Sequence, residues 1–368
     1  MMPATRFRGL GRAAGRAVLL ATVGLILLFL HLSLRYQPPA PASSAAGSDM
    51  EVYRRVVGRL QAGESYYPAL HDELLAGGYG TRSVFNWRLP FYLWFLSRFP
   101  GLAWAEAGIA ALALVAAGLT VRLFQGTAGR PATVVLGVML GSSLVSCFAG
   151  DPVLFSEVTC GVLILLSASA YGLGRTGAGF VAAVAALLVR ELAAPYALLC
   201  LGLAWREHRR REVGAWVAMF LLYALYVWWH AGMVTARLGP LDRAYPSHWL
   251  QWGGLSFVLA TAQVNGIFFA LPLWVTALVL PLGVLGLAAW PGPAGTRAAL
   301  TVGAYLALFF ALGKPFNTYW GPLYTPFLAL GLAWAPAALA DLVRTADPGI
   351  AGPAASDPTG PADPSPED

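Results

Sequence analysis

The sequence predicts an all-α, polytopic membrane protein with about ten transmembrane helices and a long first extracytoplasmic loop. Of the 368 residues, 58% are apolar and only 11% are charged, and the mean hydropathy is +0.63. Soluble globular domains carry about 25% charged residues. The apolar residues also lie in runs that approach the roughly 20 residues needed to cross a hydrocarbon core of about 30 Å. Composition and run length therefore agree on a multi-span protein.

The first apolar run extends from Ala17 to Leu34 and follows a basic N-terminal segment with arginines at positions 6, 8, 12 and 16. A basic head before an apolar run is also typical of a signal peptide. This run is longer than the usual apolar region of a signal peptide, and Leu34-Arg35-Tyr36 offers no small-residue cleavage pattern. We therefore interpret the run as a retained membrane anchor.

Nine further apolar runs follow, at residues 102–121, 131–148, 158–174, 177–189, 192–205, 213–231, 265–290, 298–312 and 323–342. The densest basic segment, residues 206–212, is assigned to the cytoplasm by the positive-inside rule. This gives ten crossings with both termini cytoplasmic, and every short arginine-bearing loop then lies on one side. The runs 177–189 and 192–205 are short for full crossings. We expect half-length helices that meet at Arg190-Glu191, buried in protein rather than facing lipid.

The first loop, residues 35–101, is the longest polar and aromatic stretch of the chain. Apolar residues at helical spacing predict amphipathic helices at residues 50–60 and 67–75, and the aromatic residues of 90–99 favour a helix in the membrane interface. Such a loop would form a lid against the membrane, so that residues 1–346 make a single domain. The Pro-, Gly- and Asp-rich tail, residues 347–368, is expected to be disordered and cytoplasmic.

The net charge of +6 does not indicate a nucleic-acid partner, because most arginines flank apolar runs, where topology alone requires them. The three cysteines, Cys147, Cys160 and Cys200, lie in or beside apolar helices and indicate no disulfide framework. The histidines lack ligand spacing for zinc. We expect no cofactor, although Asp49, Glu51 and Asp151 are one set that could hold a divalent metal.

Charged groups near a bilayer need a reason, because each costs at least about 2.5 to 3.5 kcal/mol at a helix centre. Asp49, at the mouth of the first span, could be a general base or could cap the helix predicted to start near Glu51. Arg190-Glu191 could bind a ligand or form a self-satisfying ion pair. Lys314 is the only lysine of the chain and lies among aromatic residues, which favours phosphate binding.

Several segments resemble the GT-C superfamily of membrane glycosyltransferases that use polyprenyl-phosphate-linked sugars, especially its bacterial alpha-mannosyltransferase-like and Rgt-like branches. The segment 48–53 (SDMEVY), followed by Leu60, Gly63 and Tyr66-Tyr67, is similar to the opening of that family's first outer loop. The segments 86–90 (NWRLP), 151–157 (DPVLFSE) and 319–321 (YWG) also fit its layout. The likeness extends along nearly the whole chain, and the first-loop motif is its most specific part.

The resemblance implies an enzyme of the plasma membrane that moves a sugar, for example mannose, from a polyprenyl-phosphate donor to the hydroxyl of an extracytoplasmic glycan, lipid or protein. Asp49 would be the catalytic base and Glu51 would assist it, while Arg190 and Lys314 would hold the donor phosphate. The candidate substrate-binding residues are Tyr53, Tyr67, Arg88, Asp151, Glu157, Arg190, Glu191, Lys314, Asn317 and Tyr319.

Three other classes stay open at this point. A transporter or flippase for a lipid-linked or small polar substrate would also combine many spans with buried charges, but it should show matching broken helices in two halves. A membrane acyltransferase would need a histidine base, for which His71, His230 and His248 are the candidates on the outer side. A non-catalytic assembly partner is the third class.

Overall fold

The computed structural model describes residues 4–38, 49–244 and 251–346 and is helical without any strand in those ranges. In chain order the α-helices are α1 (Arg12–Arg35), α2 (Asp49–Gln61), α3 (Tyr66–Ala76), α4 (Pro90–Ser97), α5 (Leu102–Gln125), α6 (Arg130–Ser143), α7 (Ser156–Gly172), α8 (Thr176–Val189), α9 (Ala194–Arg206), α10 (Arg210–Thr235), α11 (Gly254–Gln263), α12 (Leu273–Ala289), α13 (Gly292–Ala311) and α14 (Thr325–Ala346). Ser48 of the first-loop motif and the predicted disordered tail, residues 347–368, lie outside the described residues.

Five helices are long and apolar enough to cross a membrane, namely α1, α5, α10, α13 and α14, which have 20 to 26 residues each. Four shorter apolar helices, α7, α8, α11 and α12, have between 10 and 17 residues. The prediction of an all-helical protein is therefore confirmed in the described residues, with five helices long and apolar enough to span a membrane. The number of ten crossings, and their orientation, stay predictions.

The expected single run at residues 265–290 is interrupted in the structure. A short 3-10 helix at Gly266–Ala270 is followed by Leu271 and Pro272, and α12 begins only at Leu273. Proline lacks a backbone N–H and disfavours a helical residue before it, which explains the break. Gly266 has a positive φ of 55°, and a Cβ there would lie 1.8 Å from the carbonyl oxygen of Ser142. The 3-10 helix thus packs directly on the end of α6.

Close helix packing at glycines builds the centre of the bundle. A Cβ on Gly286 of α12 would lie 1.8 Å from the carbonyl oxygen of Gly331 on α14, and one on Gly331 would lie 1.9 Å from that of Gly283. Small residues at such crossings let two backbones approach closely, as is common between helices in membranes. The core beside this crossing is filled by Phe327, Leu328 and other buried residues of α14.

The expected break at Arg190 is present. Helix α8 ends at Val189, Arg190 is extended with φ −153° and ψ 128°, and a 3-10 turn at Glu191–Ala193 leads into α9. Pro195 lies in the first turn of α9, where a missing N–H costs nothing. Arg190 is only 5% exposed, so the break between the two short helices lies inside the protein.

The first loop packs on this bundle through three short helices. Val52, Val56 and Val57 of α2 are buried, and α2 lies against α3, α4 and the 3-10 helix at Asp151–Leu154. Helix α4 in turn contacts α8. The loop therefore brings its polar residues to the point where α7 begins and α8 ends.

Candidate functional site

A fully buried carboxylate, Glu157, forms the centre of the candidate site. It is the second residue of α7 and has 0% exposure. Its Oε1 accepts a hydrogen bond from Arg88 Nη1 at 3.1 Å and forms an ion pair with Arg190 Nη2 at 3.0 Å. Ser156 Oγ donates to Oε2 at 3.3 Å. The start of α7 thus holds one acid between two guanidinium groups that come from the first loop and from the α8–α9 break.

Arg88 is held through its guanidinium group and through its backbone carbonyl. Its Nε donates to the Tyr53 hydroxyl at 2.9 Å, its guanidinium lies 5.3 Å from the centre of the Tyr53 ring, and its carbonyl oxygen accepts from the Tyr66 hydroxyl at 2.5 Å. Burial lowers the pKa of Arg88, but Glu157, Tyr53, Tyr319 and Glu191 together outweigh it, and the pKa lies well above its ordinary value. Arg88 is therefore a fixed positive charge.

Arg190 makes two ion pairs, and its Nε forms no hydrogen bond in the described residues. Nη2 binds Glu157, and Nη1 binds Glu191 Oε1 at 3.1 Å. The buried Nε of Arg190 donates to no acceptor in the described part of the chain. Leaving a buried donor unsatisfied costs about 1–3 kcal/mol. An acceptor group that is not part of the described protein would relieve that cost.

A narrow cavity adjoins these charges. Its empty space of about 260 Å³ includes the open mouth, whereas the enclosed part of about 10 Å³ holds about one water molecule. Its polar lining includes Tyr53, Arg88, Arg190 and Glu191. Leu89, Leu93 and Val189 line its apolar part. The Glu191 side chain is 34% exposed, whereas that of Glu157 is fully buried. The cavity therefore combines cationic, acidic and apolar surfaces.

Asp49 lies beside this cavity but does not line it. It is the first described residue of α2, within the helix that was predicted to start near Glu51, and its Oδ1 accepts a hydrogen bond from the Tyr79 hydroxyl. A carboxylate in the first turn also interacts favourably with the helix dipole. Burial raises the pKa of Tyr53, Arg88 lowers it and Asp49 raises it again, which places Asp49 within electrostatic range of the site.

The predicted partner of Asp49 lies elsewhere. Glu51 forms ion pairs with Arg54 at 3.1 Å and Arg55 at 3.6 Å on its own helix, and its side chain is 42% exposed. Residues two apart on a helix do not face each other. The structure therefore does not bring the two acids of the predicted catalytic pair together.

Of the residues predicted near the end of the chain, Tyr319 approaches the site. Its ring stacks on Phe155 at 5.4 Å, and its hydroxyl donates to Asn317 Oδ1 at 3.4 Å. Burial raises the pKa of Tyr319, Arg88 lowers it, and Glu157, Tyr53 and Asp49 raise it further. Tyr319 is therefore within electrostatic range of Arg88, Glu157 and Asp49.

Lys314 is buried, with 5% exposure, and its ammonium lies 5.7 Å from the Phe316 ring. Burial lowers the pKa of Lys314. The pairing of Lys314 with Arg190 around one phosphate stays a prediction.

Tyr67 belongs to a neighbouring group of rings. Its hydroxyl is 3.0 Å from His230 Nδ1, and its ring packs against Trp87 and Trp229. Of Asp151, the structure describes only the backbone, which lies in the 3-10 helix before α7. In residues 4–38, 49–244 and 251–346, no three His, Cys, Asp or Glu side chains group as a metal site.

The sequence identified the residues of the Glu157 site but not the contacts between them. Arg88, Glu157, Arg190 and Glu191 were all candidates, but nothing in the sequence paired Glu157 with both arginines. The signal that could have suggested it is charge balance, because a buried acid at the start of an apolar helix requires a cation nearby. No protein-family model, curated protein or solved structure matches the chain.

Proposed function

We propose that the chain is an integral membrane glycosyltransferase of the GT-C type, which transfers a sugar from a polyprenyl-phosphate donor to a hydroxyl group of an extracytoplasmic acceptor. The observation that carries the proposal is the pair of arginines on Glu157. Arg88 and Arg190 both line the cavity, and the buried Nε of Arg190 has no acceptor in the described residues. A phosphate oxygen is an acceptor of the kind that arginine binds well.

In the proposed reaction the acceptor oxygen attacks the anomeric carbon of the donor, and the bond from that carbon to the phosphate oxygen breaks. The acceptor proton passes to a carboxylate, and polyprenyl phosphate leaves. A phosphate monoester has a second pKa of about 6, so the leaving group needs little protonation at neutral pH. The guanidinium groups of Arg88 and Arg190 would stabilise its developing charge.

The base in this scheme is Asp49, as the resemblance implies. Its contact with Tyr79 and its electrostatic range to Tyr53 and Tyr319 support a place at the edge of the reaction centre. Glu191 is the second candidate, because it lines the cavity itself and is partly exposed. A general base contributes typically about 10² to 10⁴ in rate.

The proposal includes ten crossings in the plasma membrane, both termini in the cytoplasm and the first loop outside. A donor with a polyprenyl chain must reach the cavity from the lipid. Helix α4 suits that route, because Leu93 of the helix and Leu89 just before it line the cavity, while Trp94 and Phe95 are 46% and 39% exposed. Exposed aromatic residues of this kind favour the membrane interface.

The test is a transfer assay with the full chain in lipid nanodiscs and radiolabelled polyprenyl-phospho-mannose, run beside donors that carry other sugars. Asp49→Asn should lower turnover by about 10² to 10⁴ while donor binding is kept, because the amide cannot accept the proton. The matched control is Asp72→Asn in the same loop. Asp72 is 59% exposed and pairs with Arg59 at 2.8 Å, so its variant should turn over like the wild type.

Two results would contradict the proposal. Wild-type protein that turns over none of the sugar donors, with membranes as acceptor source, would remove the transferase assignment. Movement of intact labelled donor across the bilayer without transfer would instead support the flippase alternative, and Asp49→Asn would then leave that movement unchanged.

A further inference from the structure

We infer that Asp242 and His71 are positioning residues for Arg88: together they fix the Trp87–Arg88 segment so that the Arg88 guanidinium meets Glu157. This inference rests on the proposed function only in the role it gives to Arg88. The residues concerned lie in two separate parts of the chain, the first loop and the segment that follows α10.

Asp242 is a buried acid outside the Glu157 site. It is 3% exposed, its Oδ1 lies 2.8 Å from His71 Nε2, and its Oδ2 accepts from the Gly239 N–H at 2.6 Å. Burial raises the pKa of Asp242, but hydrogen bonds that include those from Gly239 and His71 outweigh it and lower the pKa to about 2. The carboxylate is therefore ionised at neutral pH and binds the first loop as a charged group.

The neighbouring backbone makes a second connection between the same two segments. The N–H groups of Thr81 and Arg82 both donate to the carbonyl oxygen of Arg243, at 2.9 and 3.3 Å. The Thr81 carbonyl oxygen then accepts from Trp87 Nε1 at 2.8 Å. Asp242 and Arg243 thus reach Trp87 by two routes, one through His71 and one through Thr81.

The His71 ring completes the first route, because it stacks on Trp87 with ring centres 5.3 Å apart and an angle of 21°. Trp87 is 3% exposed, so its side chain is enclosed. Its backbone is extended, with φ −94° and ψ 121°. Successive side chains of an extended chain point to opposite sides. Fixing the indole on the His71 side therefore directs the next side chain, Arg88, to the other side, where Glu157 lies.

This arrangement matters because Arg88 is carried by a loop and not by a long helix. Reactive geometry has to be held within about 0.5 Å and 10–20° by the residues around it. A displacement of about 1 Å can cost about 10²-fold in rate. Two connections from the segment after α10 would supply that precision without any contact to the substrate.

His71 pairs with Asp242 and not with Asp72, its neighbour in sequence. Asp72 follows His71 directly but forms its ion pair with Arg59, at 2.8 Å. Asp242, which binds His71 of α3, and Asp72, which is next to His71 in sequence, thus provide a matched comparison. Asp242→Asn removes the charge that holds His71, whereas Asp72→Asn removes an exposed charge one residue away.

The experiment measures hydrogen exchange of the amides of residues 84–91 in the full chain in nanodiscs without substrate. Asp242→Asn and His71→Ala should each increase exchange there by about tenfold, and the double variant should add little, because both weaken the same contact. Asp72→Asn should leave exchange at the wild-type rate. Amides of α12 and α14 report in the same spectrum whether each variant is folded.

If Asp242→Asn also increases exchange in α12 and α14, His71→Phe takes its place, since phenylalanine keeps a ring against Trp87 but cannot bind Asp242. Faster exchange at residues 84–91 in His71→Phe would support the inference. Unchanged exchange there in the folded variants would overturn it, whatever the enzyme does.

A second measurement separates this inference from the proposed function. In the transfer assay, Asp242→Asn should lower turnover by about 10- to 100-fold. If the variants exchange faster at residues 84–91 but the wild type transfers no sugar, the positioning role is supported and the transferase is contradicted. If the wild type transfers sugar but all variants exchange at the same rate at residues 84–91, the transferase is supported and the positioning role is contradicted.

Discussion

The two ends of α7 carry two different clusters of buried charge. At its start, Glu157 binds Arg88 and Arg190 directly, and Arg190 also binds Glu191; we call these four residues the Glu157 cluster. Near its end, Tyr171 meets three charged side chains, and Tyr171, Arg209, Glu212 and Arg297 form the Tyr171 cluster. Positions 157 and 171 are about 21 Å apart along a helix with a rise of 1.5 Å per residue.

The clusters hold their arginines by different means. In the Tyr171 cluster, Arg297 is 5% exposed, lies 4.0 Å from the Tyr171 ring and donates from Nη1 to Cys200 Sγ at 3.2 Å. Glu212 accepts from Tyr171 at 2.6 Å and pairs with Arg209. The acid of this cluster thus binds Arg209, while an aromatic face and a thiol hold Arg297. A cation over an aromatic face gains up to about 2 kcal/mol when desolvated.

The comparison shows what distinguishes a candidate site from a buried charge that only holds helices together. Both clusters contain buried arginine and glutamate, so composition alone does not separate them. Both clusters have buried arginine nitrogens that form no hydrogen bond in the described residues, Arg190 Nε in the first and Arg209 Nε and Nη2 in the second. The difference is the cavity, which Arg88, Arg190 and Glu191 line and which no member of the Tyr171 cluster lines. The Tyr171 cluster, together with Cys200, instead joins α7, α9, α10 and α13. We therefore expect substitutions to affect function mainly at the start of α7.

The largest expected effect is on stability, from Glu157→Gln. This change leaves two buried guanidinium groups without their shared carboxylate, and breaking such a pair costs about 3–5 kcal/mol. Glu212→Gln should cost about 1 kcal/mol, because Arg209 keeps an ion pair with Glu207 at 3.0 Å and the Tyr171 hydroxyl can donate to the new amide. Denaturant unfolding of both variants in the same detergent measures the difference. Equal losses would mean that the Glu157 charge is not required by its arginines.

The fold was largely predictable because long apolar runs are a local signal. The break at Arg190 was also readable, since two charged residues interrupt an apolar stretch. Helix α11 was missed because the polar residues around it hid a ten-residue helix, and Pro272 divided what looked like one run.

The connections of the site were not predictable in the same way. Arg88 and Glu157 are 69 positions apart, and His71 and Asp242 are 171 apart, so only packing brings them together. The pairing of Asp49 with Glu51 was an error that the sequence could have prevented. The two lie two residues apart on a predicted helix, and such residues do not share a face. Their separation in the structure could have been anticipated from helix geometry alone.

The second expected effect is on catalysis, from Arg190→Lys compared with Arg297→Lys. Lysine keeps the charge but loses Nε and the planar fork of guanidinium donors. If Arg190 Nε binds the donor phosphate, kcat/KM for the labelled donor should fall by about 10²-fold, as for the loss of one preorganised donor. Arg297→Lys should stay within about threefold of the wild type, since no part of the Tyr171 cluster lines the cavity.

These two variants compare the two ends of α7 directly, because each changes one buried arginine and preserves its charge. Wild-type kcat/KM in Arg190→Lys would mean that the unsatisfied Nε takes no part in donor binding. A larger loss in Arg297→Lys than in Arg190→Lys would reverse the assignment of function between the two ends of α7.

The smallest expected effect comes from two glycines of α7 that lie at different distances from the clusters. A Cβ on Gly161 would lie 2.0 Å from the carbonyl oxygen of Pro322, in the 3-10 segment that carries Tyr319. A Cβ on Gly172 would lie 2.7 Å from Leu123 Cδ2, the end of a flexible side chain. Gly161→Ala should cost about 2 kcal/mol through overpacking. Gly172→Ala should cost less than about 1 kcal/mol, because the gain in helix propensity offsets part of the strain.

The same two variants also report on the site. Backbone cannot move aside as a leucine side chain can, so Gly161→Ala should displace the Asn317–Leu323 segment and with it the Tyr319 ring, and donor turnover should fall with stability. Gly172→Ala should leave turnover unchanged. Unfolding midpoints and transfer rates for the two variants measure both effects. Equal losses of stability would mean that the Asn317–Leu323 segment yields as easily as the Leu123 side chain, and Tyr319 would then not be held against the Glu157 cluster by its contact with α7.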